Sequence, residues 1–383
     1  MIYLNNSSTG YPKPESVLRA VNDLLASPPY NYGRTGLSRG DKNLVNDTRG
    51  LVSEFFNASD EYFTIFTSGS TEALNLVIKG LDLKGKHVII SATEHNSVIR
   101  PLMQLQKEGI LEISIAECDD FGYVTPQNIE KLITENTALI CINHCSNVTG
   151  TIQDVKSIAH IAHSHSALLL VDGSQSAGLF TIDLQDINPD FFCFTAHKSL
   201  AGIQGTGGLI FRKSIELKPL KQGGTGTQSH LLEQPDSLPY KYESGTMNLY
   251  GIAALEAGIK WIMNIGIDNI RKHKQIVSKI IIENLKSIDG LNLIFNENHF
   301  SGSIISMTIR DVNIDEVNYV LTNSYDISVR SGLHCAPLIH KFIGSENGGT
   351  LRASPSYFTT IKEAEKFSEA MKVIINSLRR AND

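Results

Sequence analysis

Lys198 stands in FFCFTAHKSLAG (191–202), at the end of an apolar, strand-like run and directly after His197. Asp172 ends a second such run, ALLLVD (167–172), and Gln175 follows it in the turn DGSQSAG (172–178). An amine and a carboxylate at neighbouring strand ends suit one chemistry. A lysine of this kind holds pyridoxal 5'-phosphate (PLP) as a covalent Schiff base, with an acid against the ring nitrogen. Alone, Asp172 reads as a helix cap and Lys198 as a solvated side chain; the combination favours the cofactor. Gln175 is then placed for the ring hydroxyl, and Thr195 and His197 for phosphate oxygens.

Other runs extend the same site. FTSGSTEALNLV (66–77) sets Ser70 and Thr71 at the start of an amphipathic helix, where unpaired amides and the helix dipole favour a phosphate. An ordinary N-cap, with Glu72 in the first turn, uses the same residues. TEHNSVIRPL (93–102) puts His95 just past a strand, where its ring would stack on the cofactor and assist proton transfer, or simply be structural. Asn147, in CSNVTGT (145–151), lies at the next strand end, within reach of a cofactor oxygen or a substrate carboxylate. Arg352, in GTLRASPSYFTT (349–360), is either a bidentate carboxylate clamp or half of an ion pair. Cys335, in VRSGLHCAPL (329–338), follows a strand in a short glycine-bearing loop beside His334. A nucleophilic thiol needs access and a nearby positive group, for which His334 is the nearest candidate; most lone cysteines are inert core residues. Cys141, His144 and Cys145 have near-ligand spacing, but strand alternation splits them between faces, so no metal site is expected.

The elements that must position these residues alternate. Strand-like runs at 62–68, 86–92, 111–118, 138–145, 167–172 and 191–196 are separated by helix-period segments at 70–81, 97–109, 126–134 and 155–165. This alternation predicts a mostly parallel sheet flanked by helices. GTGGLIFRK (205–213) predicts an antiparallel member of the same sheet, as mixed sheets often carry. From about 250 the pattern changes to long helices at 250–266 and 268–288, shorter strands at 291–295, 303–309 and 326–331, and a last helix over 360–380. The expected division is a large domain over 15–255 and a smaller α+β domain over 256–383 that includes 1–14.

The 383 residues carry a net charge of −6, with 41% hydrophobic and 19% charged residues. Nothing basic enough for nucleic acid or an anionic membrane stands out. No apolar run reaches the roughly 18 residues of a membrane span, and the start lacks a signal-peptide pattern. Five scattered cysteines make no disulfide framework, so a cytoplasmic enzyme is the expectation.

The motifs SGSTEALN, EHNS, SNVTGT, DGSQS, TAHKSLAG, YESGTMN, SGLHCAPL and LRASPSYF occur in this order along nearly the whole chain. In that order they resemble the class V aminotransferase superfamily, in its cysteine desulfurase branch. The short loop around Cys335 is similar to the group II and selenocysteine lyase-like members. The resemblance implies PLP fold type I, with Lys198 carrying the cofactor and Asp172 on its ring nitrogen. His95 would stack on the ring, Gln175 would meet its phenolic oxygen, and Ser70, Thr71, Thr195 and His197 would hold the phosphate. Thr246 would reach the phosphate of a neighbouring subunit, implying a homodimer. Arg352 and Asn147 would hold the substrate carboxylate. The implied activity converts L-cysteine to L-alanine, leaving the sulfur as a persulfide on Cys335 for an acceptor protein. Alternatives are a selenocysteine lyase acting on L-selenocysteine, another class V reaction (C–S lyase, epimerase, aminotransferase), or a non-catalytic paralogue. Three positions depart from the family pattern: LNNSSTG (4–10) replaces a D-x-A-A type sequence, Leu333 a second histidine, and Met247 a proline.

Overall fold

Apolar runs that alternate side to side build a sheet buried on both faces. The structure, a computed structural model, describes residues 1–27 and 43–382. After a short β1 (Ile2–Tyr3), the chain lays down β2 (Tyr62–Thr67), β3 (Lys86–Ser91), β4 (Leu111–Ala116), β5 (Thr137–Asn143), β6 (Leu168–Asp172), β7 (Phe191–Thr195) and β8 (Gly207–Arg212). Their order is β2-β8-β7-β6-β5-β3-β4. β4, β3, β5, β6 and β7 run parallel, and β8 is antiparallel to both β2 and β7. The mixed α/β architecture and the returning strand are thus as expected.

Period-2 alternation decides which side each residue packs on. Ile89, Ile140, Leu169, Val171, Phe192 and Phe194 join one core, with Ile252, Leu255 and Ile259 of the helix Leu249–Ile265. Val88, Ile90, Leu139, Leu170, Phe191 and Cys193 join the other, with Leu74 and Val77 of the helix Ser70–Gly80. Two-sided burial is what a parallel sheet requires, and it explains why its strands read as nearly continuous apolar runs. Two glycines permit close approaches near the strand ends. A Cβ at Gly207 would lie 2.5 Å from Phe194 O and 2.7 Å from Gly69 Cα. At Gly178, with φ +82°, it would lie 2.6 Å from Ser199 C and O.

A second sheet has the order β12-β13-β10-β9, formed by β9 (Leu291–Ile294), β10 (Ile305–Ile309), β12 (Arg330–Gly332) and β13 (Thr350–Ala353), all antiparallel. It packs with Val277 and Ile281 of the helix Ile267–Leu285 and with Phe367 and Met371 of the helix Ile361–Asn382. The segment 326–331, expected as one strand, divides into β11 (Ile327–Ser328), which pairs in parallel with β1, and β12. The break at Val329 hands the chain from one sheet to the other. Leu4 is buried in this second core, and Leu4 and Asn6 exchange backbone hydrogen bonds with Ser354 just beyond β13. The chain's first residues therefore lie against the strand that carries Arg352. The division expected at 255/256 falls inside the helix Leu249–Ile265.

Candidate active site

The carboxyl ends of β5, β6 and β7 open onto a cavity of ≈ 330 Å³. Parallel sheets bind ligands at this edge, and the volume suits a small cofactor with a substrate. Ser70, Thr71, His95, Asn147, Asp172, Gln175, Thr195, His197, Lys198 and Arg352 all line it. Thr246 is exposed and lies away from it.

At one end, Glu72 and Ala73 donate their amides to Gly69 O, and Ser68 N donates to the Glu72 carboxylate at 2.7 Å. Among the described residues, the amides of Ser70 and Thr71 have no such partner. Thr195 Oγ1 lies 3.8 Å from where a Gly69 Cβ would stand, so hydroxyls and amides converge on one anion cradle. His197 Nδ1 meets Thr9 Oγ1 at 3.0 Å. Burial, with Lys198 and Lys13 adding to it, holds His197 down at about 4, so it serves as a neutral imidazole.

In the middle lie the acid, the amine and a second imidazole. Asp172 is buried, and its Oδ1 accepts from Ser174 N at 2.9 Å and Ser174 Oγ at 2.5 Å, leaving Oδ2 to face a ligand. Burial, opposed by Asp172 and aided by Arg352 and Arg330, lowers Lys198 to about 8. His95 caps the helix Asn96–Lys107, its Nδ1 accepting from Ser97 N at 3.1 Å. That bond leaves the ring proton on Nε2. Burial is again the largest cause of its low value, about 4; Asp172 opposes it, and Lys198 reinforces it. Gln175 Nε2 donates to Ser7 O at 3.0 Å, tying the first residues of the chain to the cavity wall.

Two arginines occupy the far end. Arg352 is fully buried on β13; Nη1 donates to Asn147 O at 2.6 Å and Nη2 to Ser8 Oγ at 3.0 Å, while Nε has no partner. Burial and then Arg330 disfavour its charge. Among the described residues neither arginine meets a carboxylate, and guanidiniums so placed can take an anion. Arg330 was not among the residues read from the sequence, where it looked like part of a strand. Its Nη2 lies 3.5 Å from Cys335 Sγ. Cys335 is half-buried, whereas Cys118, Cys141, Cys145 and Cys193 are buried.

His334, the group expected to activate Cys335, does not present a cation to it. His334 turns inward, Nε2 meeting Thr350 O at 3.0 Å and Thr350 Oγ1 at 2.9 Å. Burial, then Arg352 and Arg330, hold it at about 2, so it offers no positive charge to the neighbouring thiol. The cation beside the Cys335 sulfur is Arg330. The loop itself is fixed: Asn147 Nδ2 donates to His334 O at 2.7 Å, Asn96 N to Cys335 O at 2.7 Å, and His340 Nε2 meets Leu333 O at 3.2 Å. Asn147, expected at a ligand oxygen, thus spends its amide nitrogen on this loop and keeps Oδ1 for the cavity.

A phosphate cradle, a buried carboxylate and a lysine of lowered basicity along one cavity fit PLP. Residues 2–367 match the aminotransferase class-V family. A probable cysteine desulfurase of Methanothermobacter thermautotrophicus is 36% identical, covering 97% of this chain and 94% of that protein. Another, from Borreliella burgdorferi, is 32% identical over 99% of this chain and 92% of its own length. The solved apo structure of a cysteine desulfurase from Thermococcus onnurineus NA1 superposes with a TM-score of 0.90 at 28% identity, covering 98% of this chain and 95% of that one.

Proposed function

Because the chain belongs to the aminotransferase class-V family, we propose that it is a PLP-dependent cysteine desulfurase. Ser70, Thr71, Thr195 and His197 would hold the phosphate, Asp172 the ring nitrogen, Gln175 the ring oxygen and Lys198 the aldehyde carbon. His95 would lie against the ring. Bound there, PLP supplies an electron sink for the pair released when a Cα proton leaves.

The chain's own groups do the rest. Arg352 binds the carboxylate of L-cysteine and fixes which bond faces Lys198, while Asn147, expected at that carboxylate, instead holds the Cys335 loop through Nδ2 and Arg352 through its backbone carbonyl. Lys198 Nζ takes the Cα proton, which its lowered basicity lets it release again. Arg330 holds the Cys335 thiolate, which attacks the substrate sulfur. The S–S bond forms as the Cβ–S bond breaks. L-cysteine and the Cys335 thiol become L-alanine and a Cys335 persulfide, with no outside oxidant. A sulfur-acceptor protein then removes the sulfur.

The observation that carries this reading is Cys335 Sγ at 3.5 Å from Arg330, which shares a cavity with Lys198, Asp172 and Arg352. After reaction with L-cysteine and no reductant, the peptide containing Cys335 should gain the mass of one sulfur atom. An unmodified peptide in a protein that turns over would refute the proposal. L-selenocysteine presents its chalcogen on the same carbon, and the ratio of kcat/KM for the two amino acids decides between them.

The proposal includes a homodimer, with Thr246 reaching the phosphate in a second copy. Thr246 is exposed, as are Leu231 and Leu232 in the same stretch of chain, and Leu232 has no cover at all. No helix among the described residues is long and apolar enough to cross a membrane.

A further inference from the structure

β12 and β13 place Arg330 directly opposite Arg352. Directly opposed residues of an antiparallel pair send their side chains to the same face, and like charges there are unfavourable. Such a pair persists only where other groups hold it. Here the holding groups are neutral. Ser8 Oγ accepts from Arg352 Nη2 at 3.0 Å and from Arg330 Nη1 at 3.3 Å. Its own proton goes to Asn5 Oδ1 at 2.7 Å, which turns both lone pairs toward the guanidiniums. Asn5 Oδ1 also lies 3.4 Å from Arg352 Nη2. Ser8 thus joins the arginine that faces the cavity as a carboxylate site to the arginine beside Cys335.

We propose that Ser8, oriented by Asn5, is a positioning residue that sets the spacing of Arg352 and Arg330, so that substrate binding and readiness of the Cys335 thiol depend on one hydroxyl. This rests on the desulfurase reading. Two consequences follow from the chemistry. Without the hydroxyl, the two guanidiniums repel and separate, and both the carboxylate clamp and the charge beside the sulfur are displaced. With an acid in place of Asn5, an internal carboxylate sits where it competes with that of the substrate for Arg352.

The test uses the PLP-loaded protein and three variants: Ser8→Ala, Ser8→Thr and Asn5→Asp. Two readouts are taken: KM for L-cysteine, and the rate of alkylation by iodoacetamide at pH 7 without substrate. Alkylation reports on Cys335, because the other four cysteines are buried. Ser8→Ala should raise KM by about tenfold, the scale of a lost hydrogen bond to a charged group. It should also slow alkylation severalfold. Ser8→Thr, which keeps the hydroxyl, should restore both, a rescue that a general loss of folding would not show. Asn5→Asp should raise KM at least as much. Ser8→Ala with either readout within about twofold of the unaltered protein overturns the proposal, as does failure of Ser8→Thr to restore them. If the unaltered protein does not desulfurate L-cysteine, the functional reading falls alone, since alkylation tests the tether without substrate.

Discussion

At the scale of single residues, the site separates charge from proton transfer. His95, His197 and His334 are held as neutral imidazoles, while Arg330 and Arg352 carry the positive charge. Arg330 and His334, both near Cys335, should therefore behave oppositely when removed. Arg330→Ala is expected to lower turnover by about 10²- to 10³-fold, the range of one electrostatic contact at a reacting centre, with Tm nearly unchanged. His334→Ala removes a buried ring and its bonds to Thr350, at a cost of roughly 2–4 kcal/mol read as a fall in Tm. A pH–rate profile tests Lys198. Its amine must be unprotonated to accept a proton, and its value is about 8. kcat should therefore rise with pH through this region and level off above it; a kcat independent of pH from 6.5 to 9 contradicts the assignment.

At the scale of elements, the site depends on how tightly strand ends and turns approach. Gly178 lies against the backbone of Ser199, next to Lys198, at a φ that favours glycine. Gly178→Ala should force this turn apart, costing roughly 2–4 kcal/mol by overpacking and backbone strain, and should weaken PLP uptake measured by absorbance. Wild-type uptake and Tm in this variant would show that the contact relaxes freely. The strands of the large sheet were legible in the sequence because burial on both faces makes each an unbroken apolar run. The second sheet was less so. β13 is four residues long with Arg352 inside it, and β11 and β12 read as one strand because nothing in DISVRS marks the change of partner at Val329. Arg330 was missed for that reason. Its meaning lies in its register against Arg352, which local sequence does not encode. His334 misled in the opposite way: adjacency to Cys335 suggested contact, but the φ of +50° at His334 and +59° at Cys335 helps turn the ring into the core.

At the scale of the whole molecule, buried titratable groups link stability to pH. His144 and His334 are buried and held near 4 and 2, below the usual 6.5 of histidine, burial being the main cause in both. Between about pH 6.5 and 4 the unfolded chain binds more protons than the native one, so stability falls as pH drops through this window. Glu94 has the opposite sign. It is fully buried, Oε1 accepts from Asn143 N at 2.8 Å and Oε2 has no partner. Burial raises it to about 8. The native state then holds the extra proton between about pH 4.5 and 8, and stability falls as pH rises through that range. Glu94→Gln removes this ionisation, so its Tm relative to the unaltered protein should improve from pH 5 to pH 8. A constant difference would mean Glu94 does not titrate there. The residues proposed to hold the cofactor, Thr246 apart, were legible because they lie at or just past the ends of recognisable strands and a helix start, and they share one cavity. The tie between chain start and Arg352 was not, since Ser8 and Ser354 meet residues more than three hundred positions away.

The most direct measurement is the product balance from L-cysteine and a reductant, using PLP-loaded protein and its Cys335→Ala variant. Equal yields of L-alanine and sulfide, lost in the variant while PLP still binds, are the expected result. Pyruvate in place of alanine, or undiminished sulfide release by the variant, would contradict transfer of sulfur through Cys335.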